Sequence, residues 1–269
     1  MKNKIIDYVT FFDENYMFNL RYKILHEHVD HFIICESEYD HKGKKKKLNF
    51  KLEKNIHNEK ISYIVLKEPF PKNNNPWQNQ AIQRDSILKN IDFVDDEDYI
   101  FFSDPDEIPN PEILKNFELH KKYGIFMQKC FNFKFNLFNS YESPWEGTRV
   151  AKKKNLKSIN YMRQKVKKKN LNYNFLRIDK EKNIEIFDNA GWHFNNIMEA
   201  EKISMKLRSF AHEEYSKDEY SSIKIIENKI KKGIDLFGRG HVYKKVTLDE
   251  SYPKYILNNL KEFQKFIIK

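Results

Sequence analysis

Four short apolar runs, rich in β-branched and aromatic side chains, recur in the first hundred residues, and the segments between them show helical spacing. Residues 4–12 (KIIDYVTFF), 31–35 (HFIIC), 61–66 (ISYIVL) and 98–102 (DYIFF) each have the length and composition of a buried strand. Residues 14–27 carry Met17, Leu20, Ile24 and Leu25 at helical intervals. Residues 76–91 begin with a proline suited to a first helical turn and keep Ala81, Ile82, Leu88 and Ile91 near one face. Strands that alternate with helices in this order predict an α/β fold with a mainly parallel central sheet flanked by helices.

Beyond residue 110 the pattern changes. Residues 111–120 read as a short helix. Residues 124–138, with Phe131, Phe133 and Phe135 alternating, read as a long antiparallel strand at the sheet edge. Further strands are expected at 147–151 and 184–187, joined by a Lys-rich connector of the kind that stays mobile. Residues 191–194 (GWHF) read as a strand end or turn, and helices are expected over 197–212, 222–232 and 255–268. No internal repeat and no Gly/Ser-rich linker divides the sequence, so a single domain over 1–269 is the simplest organisation.

Composition narrows the function classes. The 22 Phe and 15 Tyr exclude wholesale disorder, and only 7 Gly, 8 Pro and a mean hydropathy of −0.80 exclude a collagen-like chain and a polytopic membrane protein. The formal net charge of +10 is concentrated at Lys42–Lys47, Lys152–Lys154, Lys165–Lys169 and Lys231–Lys232. Such runs suit an anionic ligand, nucleic acid, or an anionic membrane or polysaccharide surface, and they equally suit plain solvated faces. Asp7 interrupts the apolar start where a signal peptide would continue, and no stretch reaches the ~18–20 apolar residues of a membrane span. A cytoplasmic protein is expected, one that touches the inner face of the membrane through its lysines. Cys35 and Cys130 lie inside apolar runs and read as buried thiols of a reducing compartment.

The most informative feature is Asp104-Pro105-Asp106, which follows the fourth apolar run. In open parallel sheets, ligands bind outside the carboxyl ends of the strands. Two carboxylates there suit a divalent cation of the Mg²⁺ or Mn²⁺ type, which grips a diphosphate and neutralises charge on a leaving nucleoside diphosphate. The alternative is a pair of solvated acids, or caps for the helix after Pro109.

At this point the chain resembles glycosyltransferase family 17. The matching blocks are IIDYVTFFDE (5–14) with Leu20-Arg21, VDHFIICES (29–37), Gly43…Lys47-Leu48…Phe50 and Gln83-Arg84-Asp85. SDPDEIP (103–109), GWHF (191–194) and Lys206…Ser209-Phe210-Ala211-His212-Glu213 follow in order. The resemblance implies a GT-A fold, a UDP-sugar donor, a Mn²⁺ or Mg²⁺ ion, and inverting transfer of a sugar of the GlcNAc type to a glycan or polysaccharide acceptor, anionic or lipid-linked. It divides the domain into a nucleotide-binding half (1–110), an acceptor and metal-closing half (111–215) and C-terminal helices (216–269).

Roles follow from residue type and position. Asp104 and Asp106 are expected to bind metal and diphosphate, with His193 and His212 as candidate nitrogen ligands or else as structural histidines. Glu14 and Glu36, ending the first two strands, are placed to accept hydrogen bonds from a base or ribose; Glu14 serves equally as a first-turn helix acid. Arg84 suits phosphate oxygens or Asp104, against a surface pair with Asp85. Lys206 and Arg208 either hold the diphosphate or are solvated. Inversion needs a base for the acceptor hydroxyl, for which Glu213, then Glu107, then Glu146 are the candidates; Glu107 serves otherwise to orient the sugar or cap a helix. Trp145 and Trp192 are either flat sugar platforms or core aromatics. Two other classes compete: an aspartate-nucleophile phosphohydrolase, whose D-x-D normally follows the first strand, and a basic nucleic-acid-binding protein, which leaves the D-x-D unexplained.

Overall fold

The computed structural model of the chain describes residues 2–54, 56, 59–209 and 217–268. The first half follows the expected alternation: β1 (Ile5–Phe11), α1 (Asn15–Leu25), β2 (His31–Ser37), β3 (Ile61–Leu66), α2 (Pro76–Asp85) and β4 (Tyr99–Ser103). Helix α2 starts where Asn75 and Gln78 form a reciprocal capping box ahead of Pro76, which supplies the fixed first turn. Then come β5 (Glu107–Pro109), α3 (Pro111–Leu114), β6 (Tyr123–Asn132), β7 (Leu137–Phe138), β8 (Trp145–Lys152), α4 (Ile159–Lys165), β9 (Ile184–Phe187) and β10 (Gly191–Asn195). Helices α5 (Ala200–Ser209), α6 (Asp218–Ser221) and α7 (Ile223–Lys232), strand β11 (Lys244–Lys245), and helices α8 (Lys254–Asn258) and α9 (Leu260–Phe263) complete the order.

The sheet is mixed rather than mainly parallel. Its main path runs β11-β7-β6-β8-β4-β1-β2-β3, with β9 and β10 also on β6 and β5 beyond β10. Strands β4, β1, β2 and β3 are mutually parallel, whereas β8 lies antiparallel to both β4 and β6. The expectation failed because β8 inserts between β4 and β6, and a strand's alternation does not reveal which neighbour it will pair with.

Successive side chains on each strand face opposite layers. Ile34 and Phe101 pack with Phe18 of α1, while Ile33, Ile100 and Phe102 pack with Ile87 and Met162 on the other face. Each such fully buried side chain contributes about 1.5–3 kcal/mol.

Other expectations shift for local reasons. The 111–120 helix is reduced to α3. The long 124–138 strand breaks at Phe133, whose left-handed φ of 66° turns the chain between β6 and β7. The 255–268 helix is divided into α8, α9 and a short 3₁₀ turn at 264–266. The Lys-rich connector is not a plain loop: Ser158 caps α4, which packs beside α2. The GWHF segment is a strand, and it depends on Gly191. At φ 136° a Cβ there would lie 2.2 Å from the Ile108 carbonyl oxygen, so only glycine lets β10 approach β5.

Asp7, which interrupts the N-terminal apolar run, is 1% exposed. Its carboxylate accepts from Arg21 Nε at 2.7 Å and from Arg21 Nη2 at 2.5 Å. Burial of this bidentate pair is compensated by further bonds, since Arg21 also donates to the Glu107 carbonyl (2.5 Å) and to Ser103 Oγ (3.0 Å). The pair therefore fastens, from beneath, the loop that carries both aspartates.

Candidate active site

A cavity of about 870 Å³ opens at the carboxyl ends of β1, β2 and β4. Gln83 of α2 joins two of those ends: its Nε2 donates to the Cys35 carbonyl (2.9 Å) and the Phe11 carbonyl (3.3 Å), and its Oε1 accepts from His41 Nε2 at 2.8 Å. The strand ends are thereby fixed in register around the opening, with Thr10, Phe12, Ser37, Tyr39 and Trp77 among its lining residues.

The loop after β4 brings Asp104, Asp106 and Glu107 to the same cavity, and β10 meets it from the other side. Glu107 and His193 are antiparallel partners, and Phe194 N–H donates to the Asp106 carbonyl at 2.8 Å. Two sequence blocks some ninety positions apart are thus adjacent strands of one sheet.

Each carboxylate has distinct company. Asp104 accepts from Arg163 Nη2 at 2.8 Å and lies 3.8 Å from Arg84 Nη2. Burial opposes its ionisation, but these two guanidinium groups outweigh it and lower its pKa. Glu107, wholly buried, accepts from both terminal nitrogens of Arg163 (2.5 and 3.1 Å) and from Trp145 Nε1 (2.7 Å). Burial likewise works against the Arg163 charge, and Glu107 and Asp104 reverse it, so that guanidinium is held more firmly protonated than usual.

The Asp106 carboxylate faces cations at longer range, with His193 Nε2 at 3.7 Å and Lys206 Nζ at 4.0 Å. Burial would raise its pKa; His193 and then Lys206 overcome this and bring it down to about 2. The His193 imidazole is disfavoured as a cation by burial, yet the Cys130 sulfur, 3.7 Å from its Nδ1, and Asp106 raise its pKa well above the ordinary value. Trp145 packs against the same ring with centroids 4.8 Å apart. Glu14 lines the cavity with its Oε2 accepting from the Phe12 and Asp13 N–H groups (2.8 and 3.0 Å), and burial raises its pKa against the pull of Lys206.

The structure therefore brings Glu14, Arg84, Asp104, Asp106, Glu107, Glu146, His193 and Lys206 to one cavity. Glu36 is not on that lining. Fully buried, it accepts from Lys46 Nζ, Asn49 N–H (2.8 Å), Phe50 N–H (3.0 Å) and Tyr63 Oη (2.7 Å), so it clasps the 46–50 segment onto β2. Trp192 is a core residue, 5% exposed, donating to the Ser251 carbonyl at 3.0 Å. Arg208 is exposed and pairs with Asp218 at 2.6 Å. His212 and Glu213 lie outside the described residues.

Sequence reasoning missed Arg163, which joins Asp104 to Glu107. The signal was present, because it is the one arginine among eight lysines between residues 152 and 169. Arg149 was missed too. It is wholly buried, donates to the Glu146 and Gly147 carbonyls (2.7 and 2.5 Å), and is brought down to a pKa of about 9 by burial and by Arg163. Lys167, on the cavity lining, is lowered to about 8 by burial, then by Arg149 and Arg163.

The donor set can be tested against a divalent ion. Among the described residues, no group of three or more His, Cys, Asp or Glu side chains is gathered to hold a metal by protein ligands alone. Mg²⁺-like ions, however, are commonly held by one or two carboxylates while water and substrate phosphate complete the shell. Asp104 and Asp106 on an open cavity fit that mode. Arg84 adds an unmet anion-binding capacity: 4% exposed and on the cavity lining, it leaves its buried Nε without a hydrogen-bond partner.

The sequence profile of Glycosyltransferase family 17 matches residues 1–264. No curated protein matches the chain. Among solved structures, a glycosyltransferase involved in the glycosylation of the major capsid of PBCV-1 is similar at 12% identity, over 69% of this chain and 81% of that one, with a TM-score of 0.32. The inositol-1-phosphate CTP transferase from T. maritima is similar at 16% identity, over 87% and 99% of the two chains, with a TM-score of 0.36. Among the described residues, no helix is long and apolar enough to cross a membrane.

Proposed function

We infer that this chain, which belongs to glycosyltransferase family 17 and is therefore a glycosyltransferase, moves a sugar of the GlcNAc type from a UDP-sugar to a glycan or polysaccharide acceptor, with inversion and with a divalent ion. A GT-A arrangement over one domain goes with this reading. The carrying observation is the cation-rich ring around Asp104 and Asp106 at the ends of β1, β2 and β4, with the partnerless Arg84 Nε among its atoms. Such a ring favours a ligand with more negative charge than a neutral sugar, and a nucleoside diphosphate has that charge. A volume near 870 Å³ lies within the range of small-molecule sites.

In this reading Asp104 and Asp106 would hold Mn²⁺ or Mg²⁺, which supplies charge neutralisation to the departing diphosphate. Arg84 and Lys206 bind the diphosphate oxygens directly. Glu107, both of whose oxygens are engaged, positions Arg163 and Trp145 and is poorly suited to take a proton. The acceptor hydroxyl attacks the anomeric carbon, the bond from that carbon to the diphosphate oxygen breaks, and the hydroxyl proton passes to a carboxylate. Glu146, on the cavity lining, receives its Arg149 and Lys168 N–H bonds at Oε2 (3.0 and 3.2 Å), which leaves Oε1 for this role in the present reading; Glu213 remains the other candidate.

The test is UDP release from a panel of UDP-sugars with Mn²⁺ or Mg²⁺, in wild type, Asp106→Asn and Glu146→Gln. Release with UDP-GlcNAc that falls at least ~100-fold in Asp106→Asn supports the reading. Equal turnover in wild type and Asp106→Asn, or no turnover with any UDP-sugar, would overturn it.

A further inference from the structure

Outside the cavity, the most unusual surface is the turn at 174–178. Phe175 is 81% exposed, Leu176 70% and Ile178 95%, with Leu171 and Tyr173 also partly bare. Single exposed apolar residues need no explanation, but three large ones within four positions do. The turn is constructed rather than frayed. Leu176 N–H donates to Asn174 Oδ1 (3.0 Å), Arg177 N–H to the Asn174 carbonyl (3.0 Å), and Lys182 Nζ to the same carbonyl (2.6 Å). Arg177 grips Asp179 with two bonds of 2.7 Å, and its guanidinium lies 5.2 Å from the Tyr173 ring centre.

The charge around this tip is predominantly positive, with Asp179 paired to Arg177 and Lys180 and Glu181 to Lys122. Residues 165–182 hold seven Lys or Arg and only two acids. A second basic group, Lys121, Lys122, Lys152 and Lys154, shares a surface depression with Asn183 at the end of the same segment. Apolar side chains projecting from a basic surround are the arrangement by which proteins rest on anionic bilayers: the apolar groups enter the headgroup boundary while the cations meet lipid phosphate. The same segment borders the active-site cavity, since Lys167 and Lys169 line it.

We propose that the 171–178 turn and its lysine surround dock this protein onto an anionic lipid bilayer, placing the cavity beside the membrane surface. The docking stands apart from glycosyl transfer and is read without donor or acceptor.

The test is co-sedimentation with vesicles of phosphatidylcholine alone or of phosphatidylcholine with phosphatidylglycerol, at low and at raised ionic strength. Wild type is expected to sediment with the anionic vesicles, to stay in solution with the neutral ones, and to be released by salt. The triple variant Phe175→Ser/Leu176→Ser/Ile178→Ser should bind anionic vesicles about tenfold more weakly, and Lys165→Gln/Lys168→Gln about three- to tenfold more weakly, with melting temperatures unchanged. A dye on Ile178→Cys should shift to the blue with anionic vesicles only, a readout that leaves the rest of the turn intact. Any of three results overturns the proposal: wild type that ignores anionic vesicles, a triple variant that binds as wild type does, or sedimentation velocity showing a self-associated wild type that the triple variant disperses, which would make a second copy the occupant.

Discussion

Asp104 and Asp106 are separated by one proline, and the two walls they face are built differently. On the Asp104 side, Arg163 is locked by short bonds to Asp104 and both oxygens of Glu107, Trp145 adds another to Glu107, and Arg149 fills the space behind. On the Asp106 side, His193 and Lys206 are 3.7 and 4.0 Å away, distances at which charge is felt but no strong hydrogen bond is made. The tight wall has little left to offer a ligand except the unmet Arg84 Nε, while the second wall faces Asp106 with charges that lie beyond hydrogen-bond distance of its carboxylate. The contrast teaches a division of labour: the first wall holds the loop in shape, and under the proposed function the second is where an incoming anion or cation would change the bonding.

The largest expected effect tests the first wall. Arg163→Met strips the buried Glu107 carboxylate of its paired charge, and leaving one buried partner uncompensated costs about 3–5 kcal/mol. In a chain of this size that should lower the melting temperature by roughly 6–15 °C. Adding Glu107→Gln to Arg163→Met should recover part of the loss, because the orphaned charge is removed. A single variant that melts with wild type would show that the wall is wetter than its bonding pattern indicates.

The second wall should respond in the opposite sense, through activity more than stability. Asp106→Asn is expected to reduce transfer at least ~100-fold, a ΔΔG‡ of about 2.7 kcal/mol, while lowering the melting temperature less than Arg163→Met does. If Asp106→Asn instead unfolds the protein as Arg163→Met should, the two walls are not distinct.

Arg84 belongs to the first wall by burial and to the second by its unmet donor, so its variant sharpens the boundary between them. Arg84→Gln should weaken UDP binding about tenfold in a calorimetric titration, near 1.4 kcal/mol. Arg84→Lys should recover only part of this, since an ammonium lacks the planar fork. Unchanged UDP affinity would assign Arg84 wholly to the scaffold.

The same contrast explains what was legible in the sequence. Strands β1, β2 and β4 could be read because each is an almost wholly buried parallel strand whose composition alone marks it, and β3, half-buried at the end of the parallel run, because its apolar, β-branched composition is the same. The D-x-D position followed, since it lies directly after such a strand. Strand β5 has three residues and exists only because β10 pairs with it, so no local pattern announces it. Glu36 was assigned to the crevice from its place at a strand end, but the period of two turns it away: Cys35 faces Ser86 at 3.1 Å, and Glu36 faces Tyr63 on the opposite layer. Arg163 escaped because its burial is decided by Glu107, fifty-six positions earlier in the chain, while it stands in a stretch in which Lys165, Lys168 and Lys169 are exposed.

The smallest expected effect concerns Lys167, which stands on the cavity behind the arginines. Burial, Arg149 and Arg163 bring its pKa down to about 8 from an ordinary value near ~10.4. The folded protein therefore releases this proton through pH 8 while the unfolded chain keeps it to about 10.4, so the unfolded state binds more protons in that window and stability rises with pH across it. Ligand binding runs the other way. A diphosphate reaching Lys167 favours its charged form, takes up a proton when the pH is near or above 8, and binds more weakly as pH rises through that value. UDP affinity should thus fall about threefold between pH 7 and 9 in wild type and stay level in Lys167→Met, as followed by calorimetry in buffers of differing ionisation enthalpy. A wild-type profile as level as the variant's would place Lys167 with the scaffold wall, out of reach of the donor.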